Sequence, residues 1–236
     1  MVPTLLRRVP DEEYYYTQQR PEVVRLVPEA VRRVVDVGCG SGALGASIKR
    51  AIPLAEVRGV ELIPAQAEKA KTVLNDAIAA DASAPLPSGW PTPDCLIFAD
   101  VLEHLVDPWA TLTTWRARCA PNAWAVMSIP NVSHTSVVSG LQRGRFEYAE
   151  EGLLDRTHLR FFTRLSACAM VEGAGFEIVR LERTFALPGP ALKRKALSAW
   201  VKATHQPETE RSKFFEPRQS LLDTLTFQFL ILARVP

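Results

Sequence analysis

Val34-Val35-Asp36-Val37-Gly38-Cys39-Gly40-Ser41-Gly42-Ala43-Leu44-Gly45 carries an apolar run into an acidic residue, a dense set of glycines, and the start of a helical pattern. This reads as a buried strand ending in a tight turn, with glycines that let the backbone come very close to a ligand. A glycine-rich turn alone would be commonplace. Here Asp36 closes the strand two positions before the first glycine, and Glu61 closes the next strand-like run, Val57-Arg58-Gly59-Val60-Glu61. An acidic residue after each of two successive strands points to a ligand cradle.

Outward from that stretch the chain alternates strands with helices. Leu44, Ile48 and Ile52 fit one buried helix face, and Pro64 opens a second helix carrying Ala67, Ala70 and Leu74. Asp76–Ala80 is a weak strand ending at Asp81, and residues 84–93 form a proline-rich loop. Asp94–Ala99 is a clear buried strand ending at Asp100. Asp107-Pro108 then starts a helix, an acidic cap followed by proline at the first helical position. Leu112, Trp115 and Cys119 share one side of that helix, and both Trp109 and Trp115 read as core. Residues 123–129 form the next strand, closed by Pro130-Asn131.

Repeated strand–helix units predict an α/β fold, a doubly wound, mostly parallel sheet with helices on both faces. Ligands then bind along the carboxyl edge of the strands. Asp36, Glu61, Asp81, Asp100 and Asn131 each end a successive strand, so they are expected to converge on one cleft.

Before and after this core the pattern changes. Residues 1–30 are read as an N-terminal flap, with Tyr14-Tyr15-Tyr16, followed by a short helix over 21–27. Residues 31–236 are read as one domain with cap insertions at about 132–163 and 185–220. The first insertion is polar and rich in arginine and histidine. The second has a helical middle around 191–203 and the basic run Lys193-Arg194-Lys195 through Lys202, read as an exposed helix face, a lid, a homodimer contact or a polyanion patch. A helix over 165–172 leads to a strand over 176–181. In the last strand Leu225, Phe227, Phe229 and Ile231 alternate onto one face.

Composition bounds the partners. The chain has 236 residues, 47% hydrophobic and 23% charged, which is the balance of a globular protein with a sizeable core. A net charge of +2 gives no electrostatic case for nucleic acid. Cys39, Cys95, Cys119 and Cys168 show no Cys-x-x-Cys spacing, so reduced thiols in a reducing compartment are expected. Residues 1–10 lack a signal-peptide core. The longest apolar run, Phe229-Leu230-Ile231-Leu232-Ala233, is too short for a bilayer, so a cytoplasmic protein with no membrane partner is expected.

The stretch from Val34 to about Ile129 resembles the class I S-adenosylmethionine-dependent methyltransferases, which have a Rossmann-like seven-stranded sheet with an antiparallel last strand. Its first motif is an acidic residue followed by Gly-x-Gly-x-Gly, here Asp36-Val37-Gly38-Cys39-Gly40-Ser41-Gly42. Asp81 and Ala99-Asp100-Val101-Leu102-Glu103-His104-Leu105 resemble later motifs of the branch with quinone-biosynthesis O-methyltransferases. Residues 128–134 and 154–163 resemble a bacterial small-molecule subgroup.

The resemblance implies S-adenosylmethionine as cofactor and an oxygen of a small-molecule acceptor as target. Asp36 would anchor the cofactor's ammonium, beside Gly38, Cys39, Gly40 and Gly42. Glu61 would take the ribose hydroxyls, and Asp81 the adenine amino group, with Leu62 and Ala82 beside the ring. Ala99 and Asp100 would line the outer edge. A hydroxyl acceptor must lose a proton, and His158, His134 and His104 fall in loops on the active edge. His158 is the leading candidate base because Asp155, three residues earlier, could orient it. No metal is expected, since Asp100, His104, Asp155 and His158 lack the closed spacing of a dedicated site. Arg143, Arg145, Arg156 and Arg160 are read as a solvated face that could contact an anionic substrate.

Rival readings remain open on the sequence. Gly40-Ser41-Gly42-Ala43-Leu44-Gly45 also satisfies the dinucleotide fingerprint of a nicotinamide oxidoreductase, but that reading leaves Asp36 buried without a cationic partner. A non-catalytic cofactor-binding protein is another. A nucleic-acid methyltransferase is disfavoured by the near-neutral charge.

Overall fold

The computed structural model describes residues 18–84, 87, 89–185, 209 and 221–236. The tyrosine flap, the basic run and the helix expected around 191–203 lie outside the described residues. In chain order the elements are α1 (Pro21–Val24), β1 (Arg33–Val37), α2 (Ala43–Ala51), β2 (Glu56–Glu61), α3 (Pro64–Lys71), β3 (Asp76–Ala79) and β4 (Cys95–Ala99). A 3-10 turn (Leu102–His104), α4 (Pro108–Arg116), β5 (Trp124–Pro130), α5 (Thr135–Leu141), α6 (Arg164–Gly173), β6 (Glu177–Phe185), α7 (Leu221–Leu225) and β7 (Thr226–Arg234) follow.

The strands form one seven-stranded sheet in the order β3-β2-β1-β4-β5-β7-β6. β1 pairs in parallel with β2 and β4, and β5 with β4, while β7 runs antiparallel between β5 and β6. Register places Asp36 opposite Gly59 on one side and Ile97 on the other, so the acidic strand end sits centrally in the sheet.

Alternation along each strand divides the core in two. Val35, Val37, Leu96, Phe98 and Met127 join Leu112 and Trp115 of α4 and Met170 of α6 in one cluster. Val34, Ile97 and Val126 join Val23 of α1 and Leu44 and Ile48 of α2 in the other. Each fully buried aliphatic side chain contributes about 1.5–3 kcal/mol. Burial on both faces therefore dominates the choice of register, because a one-residue slip would exchange the two faces.

Local chemistry sets the ends of elements. Asp107 Oδ1 accepts the Ala110 N–H at 2.9 Å, capping α4 as its sequence foretold. Thr163 and Ser166 make a reciprocal capping box at α6. None of the four cysteines is joined in a disulfide. No helix among the described residues is long and apolar enough to cross a membrane.

In the last strand Phe229 and Ile231 share one core cluster, as their alternation predicts, and Leu230 and Leu232 enter the other. Other expectations need correction. Leu225 does not belong to that strand but to the preceding helix. Trp115 is fully buried, but Trp109 is 45% exposed and only leans on Phe162. The first insertion also contains the helix α5, which its polar composition concealed.

Candidate active site

The glycine turn after β1 is set by backbone geometry. Gly38 has φ +77°, and a Cβ there would lie 2.3 Å from Val101 Cγ2, so both conformation and space require glycine. Gly42, at φ +86°, is the residue just before α2; a Cβ would meet Val73 and Leu74 of the region after α3. Gly38, Cys39 and Gly40 line a cleft of about 1010 Å³ at the carboxyl edge. Gly42 does not line it, because its role is to let α2 start tightly against its neighbour.

Four of the five strand-end residues meet in this cleft. Asp36, Glu61, Asp81 and Asp100 line it, as do Leu62, Ala82 and Ala99. Asp36 is buried, and its Oδ2 has no hydrogen-bond partner among the described residues. Burial, and then the charge of Glu61, raise its carboxyl to about 7. Glu61 is held by two backbone N–H groups, from Gly40 and Ile63, each at 2.9 Å, one per carboxylate oxygen. Those bonds fix its carboxylate and leave lone pairs for a ligand's hydroxyls. Asp81 Oδ1 accepts from the Ser83 N–H and hydroxyl at 2.7 and 2.6 Å.

The fifth strand end, Asn131, turns away. It is fully buried; its amide donates to the Asp223 and Thr226 carbonyls at 2.8 Å, and its Oδ1 accepts from Ser133. It ties the end of β5 to the start of β7 and does not line the cleft. That role exists because β7 lies beside β5, which no local pattern announces.

Asp100 lines the cleft in a left-handed backbone conformation, φ +57°. Its carboxylate pairs with Arg20 and accepts from Gln228 Nε2 at 2.6 Å and from Ser128 Oγ at 3.1 Å. Arg20 also donates to Ser128 Oγ at 2.8 Å and Gln228 Oε1 at 3.1 Å. Arg20 and Gln228 are lining residues that the sequence did not disclose. Arg20 is a lone arginine before a short helix, and Gln228 arrives through the register of β7 opposite Pro130.

Two of the three candidate histidines meet. His104 and His158 line the cleft with ring centroids 4.8 Å apart. The insertion is held there by the Leu159 and Arg160 N–H groups, which donate to the Glu103 carbonyl at 2.8 and 3.0 Å. His104 Nδ1 lies 3.3 Å from the Thr157 carbonyl and 3.1 Å from its hydroxyl. Asp155 holds His158 through its backbone rather than its carboxylate: its carbonyl accepts the His158 N–H at 3.1 Å, its Oδ1 accepts from the Thr157 N–H and hydroxyl, and the His158 Nδ1 faces the Leu153 carbonyl at 3.3 Å. Burial, reinforced by His158, lowers His104 to about 4, and burial also lowers His158. Both rings are therefore neutral at pH 7, the form that can take up a proton.

His134 is placed elsewhere. It is buried before α5, where its Nδ1 accepts the Ser136 N–H at 3.2 Å, and it packs against Phe227. It does not line the cleft, so it is corrected from candidate base to helix cap.

Glu103, quoted in the motif but given no role, emerges as a site residue. It is buried, with neither carboxylate oxygen partnered among the described residues, and burial raises it to about 8. One ligand atom each from Glu103, His104 and His158 lie within 4.8 Å of one another. That trio could hold a divalent cation, and it differs from the Asp100–His104–Asp155–His158 set weighed on sequence. The insertion's arginines do not line the cleft: Arg156 pairs with Glu150, and Arg160 reaches backbone carbonyls.

Comparison with known proteins agrees with this geometry. A family described as a methyltransferase domain matches residues 12–181. The chain is 28% identical over 188 residues to a ubiquinone biosynthesis O-methyltransferase of Paracidovorax citrulli, covering 70% of this chain and 74% of that one. It is 29% identical over 175 residues to the protein of the same name from Burkholderia thailandensis, covering 66% and 72%. Among solved structures, a SAM-dependent methyltransferase of Thermotoga maritima, described as a possible histamine N-methyltransferase, superposes with a TM-score of 0.61 at 15% identity, covering 95% of this chain and 91% of that one. A SAM-dependent methyltransferase from Archaeoglobus fulgidus gives 0.58 at 15% identity, covering 94% of each chain. At such identities the structural likeness speaks for the fold alone.

Proposed function

The chain belongs to the methyltransferase-domain family, and from that premise we propose that it moves the methyl group of S-adenosylmethionine onto an oxygen of a small polar acceptor. The observation that carries this reading is Asp36: a buried carboxylate at the glycine turn with one oxygen unpartnered among the described residues. A carboxylate in that position needs a cation, and the cofactor's ammonium provides one, whereas a pyrophosphate would add charge of the wrong sign. The O-methyltransferase names of the curated relatives favour oxygen as the accepting atom.

In this reading Asp36 and the Gly38–Gly40 backbone hold the amino-acid end of the cofactor. Glu61, already fixed by two backbone donors, takes the ribose hydroxyls. Asp81 with Leu62 and Ala82 borders the base, and Ala99 and Asp100 border the outer edge. When bound, S-adenosylmethionine supplies a methyl group on a sulfonium that needs no further activation. The protein's work is then alignment and proton removal. The cleft walls fix the acceptor in line, an effect worth several orders of magnitude in rate. His158, neutral and facing His104, takes the acceptor's proton as the oxygen attacks.

The test is ligand-dependent stabilisation. S-adenosylmethionine or its demethylated product should raise the Tm, and NAD should not. Stabilisation by NAD alone would sink the methyl-transfer reading in favour of an oxidoreductase.

A further inference from the structure

Asp155-Arg156-Thr157-His158 turns beside the cleft, and the hydrogen bonds of that turn have a direction that reaches His104. Asp155 Oδ1 accepts both the Thr157 N–H and the Thr157 hydroxyl, each at 2.7 Å. A hydroxyl has one proton, so Thr157 Oγ1 meets its other neighbour, His104 Nδ1 at 3.1 Å, with a lone pair. The Thr157 carbonyl, 3.3 Å from the same nitrogen, can only accept. Two acceptors therefore share one ring proton, and His104 Nδ1 is the N–H nitrogen. The neutral ring then carries its lone pair on Nε2. The opposite tautomer would take the hydroxyl away from Asp155 and would still aim a nitrogen lone pair at the Thr157 carbonyl.

The same turn holds the second histidine. The Asp155 carbonyl accepts the His158 N–H at 3.1 Å, and the His158 ring meets His104 edge to face. His104 arrives from the 3-10 turn after β4, so Thr157 is a point at which the insertion takes hold of a ring from the other wall. We propose that Thr157 is a positioning residue of the transfer: its hydroxyl passes the Asp155 carboxylate on to His104, holds that ring as the Nδ1–H tautomer, and so fixes the surface against which His158 stands. The proposal rests on the methyl-transfer reading for what the histidine pair does. It moves the carboxylate that spacing assigned to His158 onto the neighbouring ring. A His104 ring free to turn would let His158 shift with it, and a misplacement of about 1 Å can cost about a hundredfold in rate.

NMR of the imidazole nitrogens reads the tautomers directly, in the full chain labelled at its four histidines, saturated with S-adenosylhomocysteine and with a chelator present. Single histidine-to-glutamine variants assign the signals. At pH 7.5 His104 should be the Nδ1–H tautomer. His134, whose Nδ1 accepts the Ser136 N–H, should be Nε2–H and serves as the reference. Thr157→Val keeps the shape and removes the hydroxyl. It should speed exchange of the His104 ring proton with water about fivefold, the worth of one neutral hydrogen bond, and broaden the His158 ring signals. Thr157→Ser should restore both, and neither variant should shift His134. Any state of His104 other than Nδ1–H in the unmodified chain would overturn the proposal. So would unaltered exchange and His158 signals in Thr157→Val, or a Thr157→Ser chain that behaves like Thr157→Val. Should Thr157→Val fail to fold, the unmodified chain and Thr157→Ser still decide. If S-adenosylhomocysteine gives the unmodified chain no thermal shift, the methyl-transfer reading has failed, and the tautomer pattern, read without that ligand, is judged separately.

Discussion

His104 and His158 come from two separate loops and meet edge to face, with centroids 4.8 Å apart and ring planes at 74°. Each ring has its Nδ1 turned toward a backbone carbonyl, of Thr157 and Leu153 respectively. Replacing His158 with alanine should lower turnover roughly ten- to a thousandfold, the usual worth of a general base. Cofactor binding, followed by calorimetry, should stay intact. Because the rings touch, adding His104→Ala should cost less than the two single effects combined. Normal turnover by His158→Ala would remove it from the base role.

Asp36 links cofactor affinity to pH. Its folded-state carboxyl lies near 7, against 3.8 for the free group. Between those values the folded protein keeps a proton that the unfolded chain has lost, so this residue's contribution to stability falls as pH rises from about 4 to 7. Asp36→Asn should therefore raise the Tm of the ligand-free protein at pH 8 and change it little at pH 4, by about 2–4 °C for each kcal/mol relieved. The same variant should bind S-adenosylmethionine roughly ten- to a hundredfold more weakly, the worth of one charge-assisted hydrogen bond. In the unmodified protein affinity should increase with pH up to about 7, with a proton released on binding.

Gly38 faces both a backbone and a packing limit. Gly38→Ala should destabilise the fold by about 2–4 kcal/mol, combining the left-handed φ with overpacking against Val101. In a Val101→Ala background the packing part should be recovered and the conformational part retained. Urea denaturation of the four variants separates the two. Equal losses in both backgrounds would show that the clash contributes nothing.

Arg20 fastens the segment before α1 across the ends of β4, β5 and β7 through Asp100, Ser128 and Gln228. Arg20→Ala should cost about 1.5–3 kcal/mol, as expected for hydrogen bonds to a charged group. Limited proteolysis should also reach the chain ahead of β1 sooner. An unchanged denaturation midpoint would reduce this network to a surface contact.

The sheet and the cofactor half of the site were legible because they rest on local signals. β1, β2 and β4 announce themselves by apolar runs, and each ends on an acid that the parallel topology carries to the cleft. The acceptor half was half-legible. His104 and His158 were marked as candidates by residue type alone, and Asp155 was assigned to His158 by spacing, yet its carboxylate binds Thr157. Arg20 and Gln228 were invisible because their importance lies in partners distant along the chain.

By itself the sequence determined an α/β sheet, a glycine turn that only small φ-permissive residues can make, and strand-end acids at one edge. Those properties follow from side-chain period and backbone sterics, which act between near neighbours. The tertiary structure decided which polar groups are consumed and which face the cleft. Asn131 and His134 are spent on backbone groups, while Glu103 is left unpartnered among the described residues, beside two histidines. That outcome depends on the insertion of β7 between β5 and β6, and on the Glu103 carbonyl anchoring Leu159 and Arg160. Both are pairings across long stretches of chain, whose free energy no local pattern encodes.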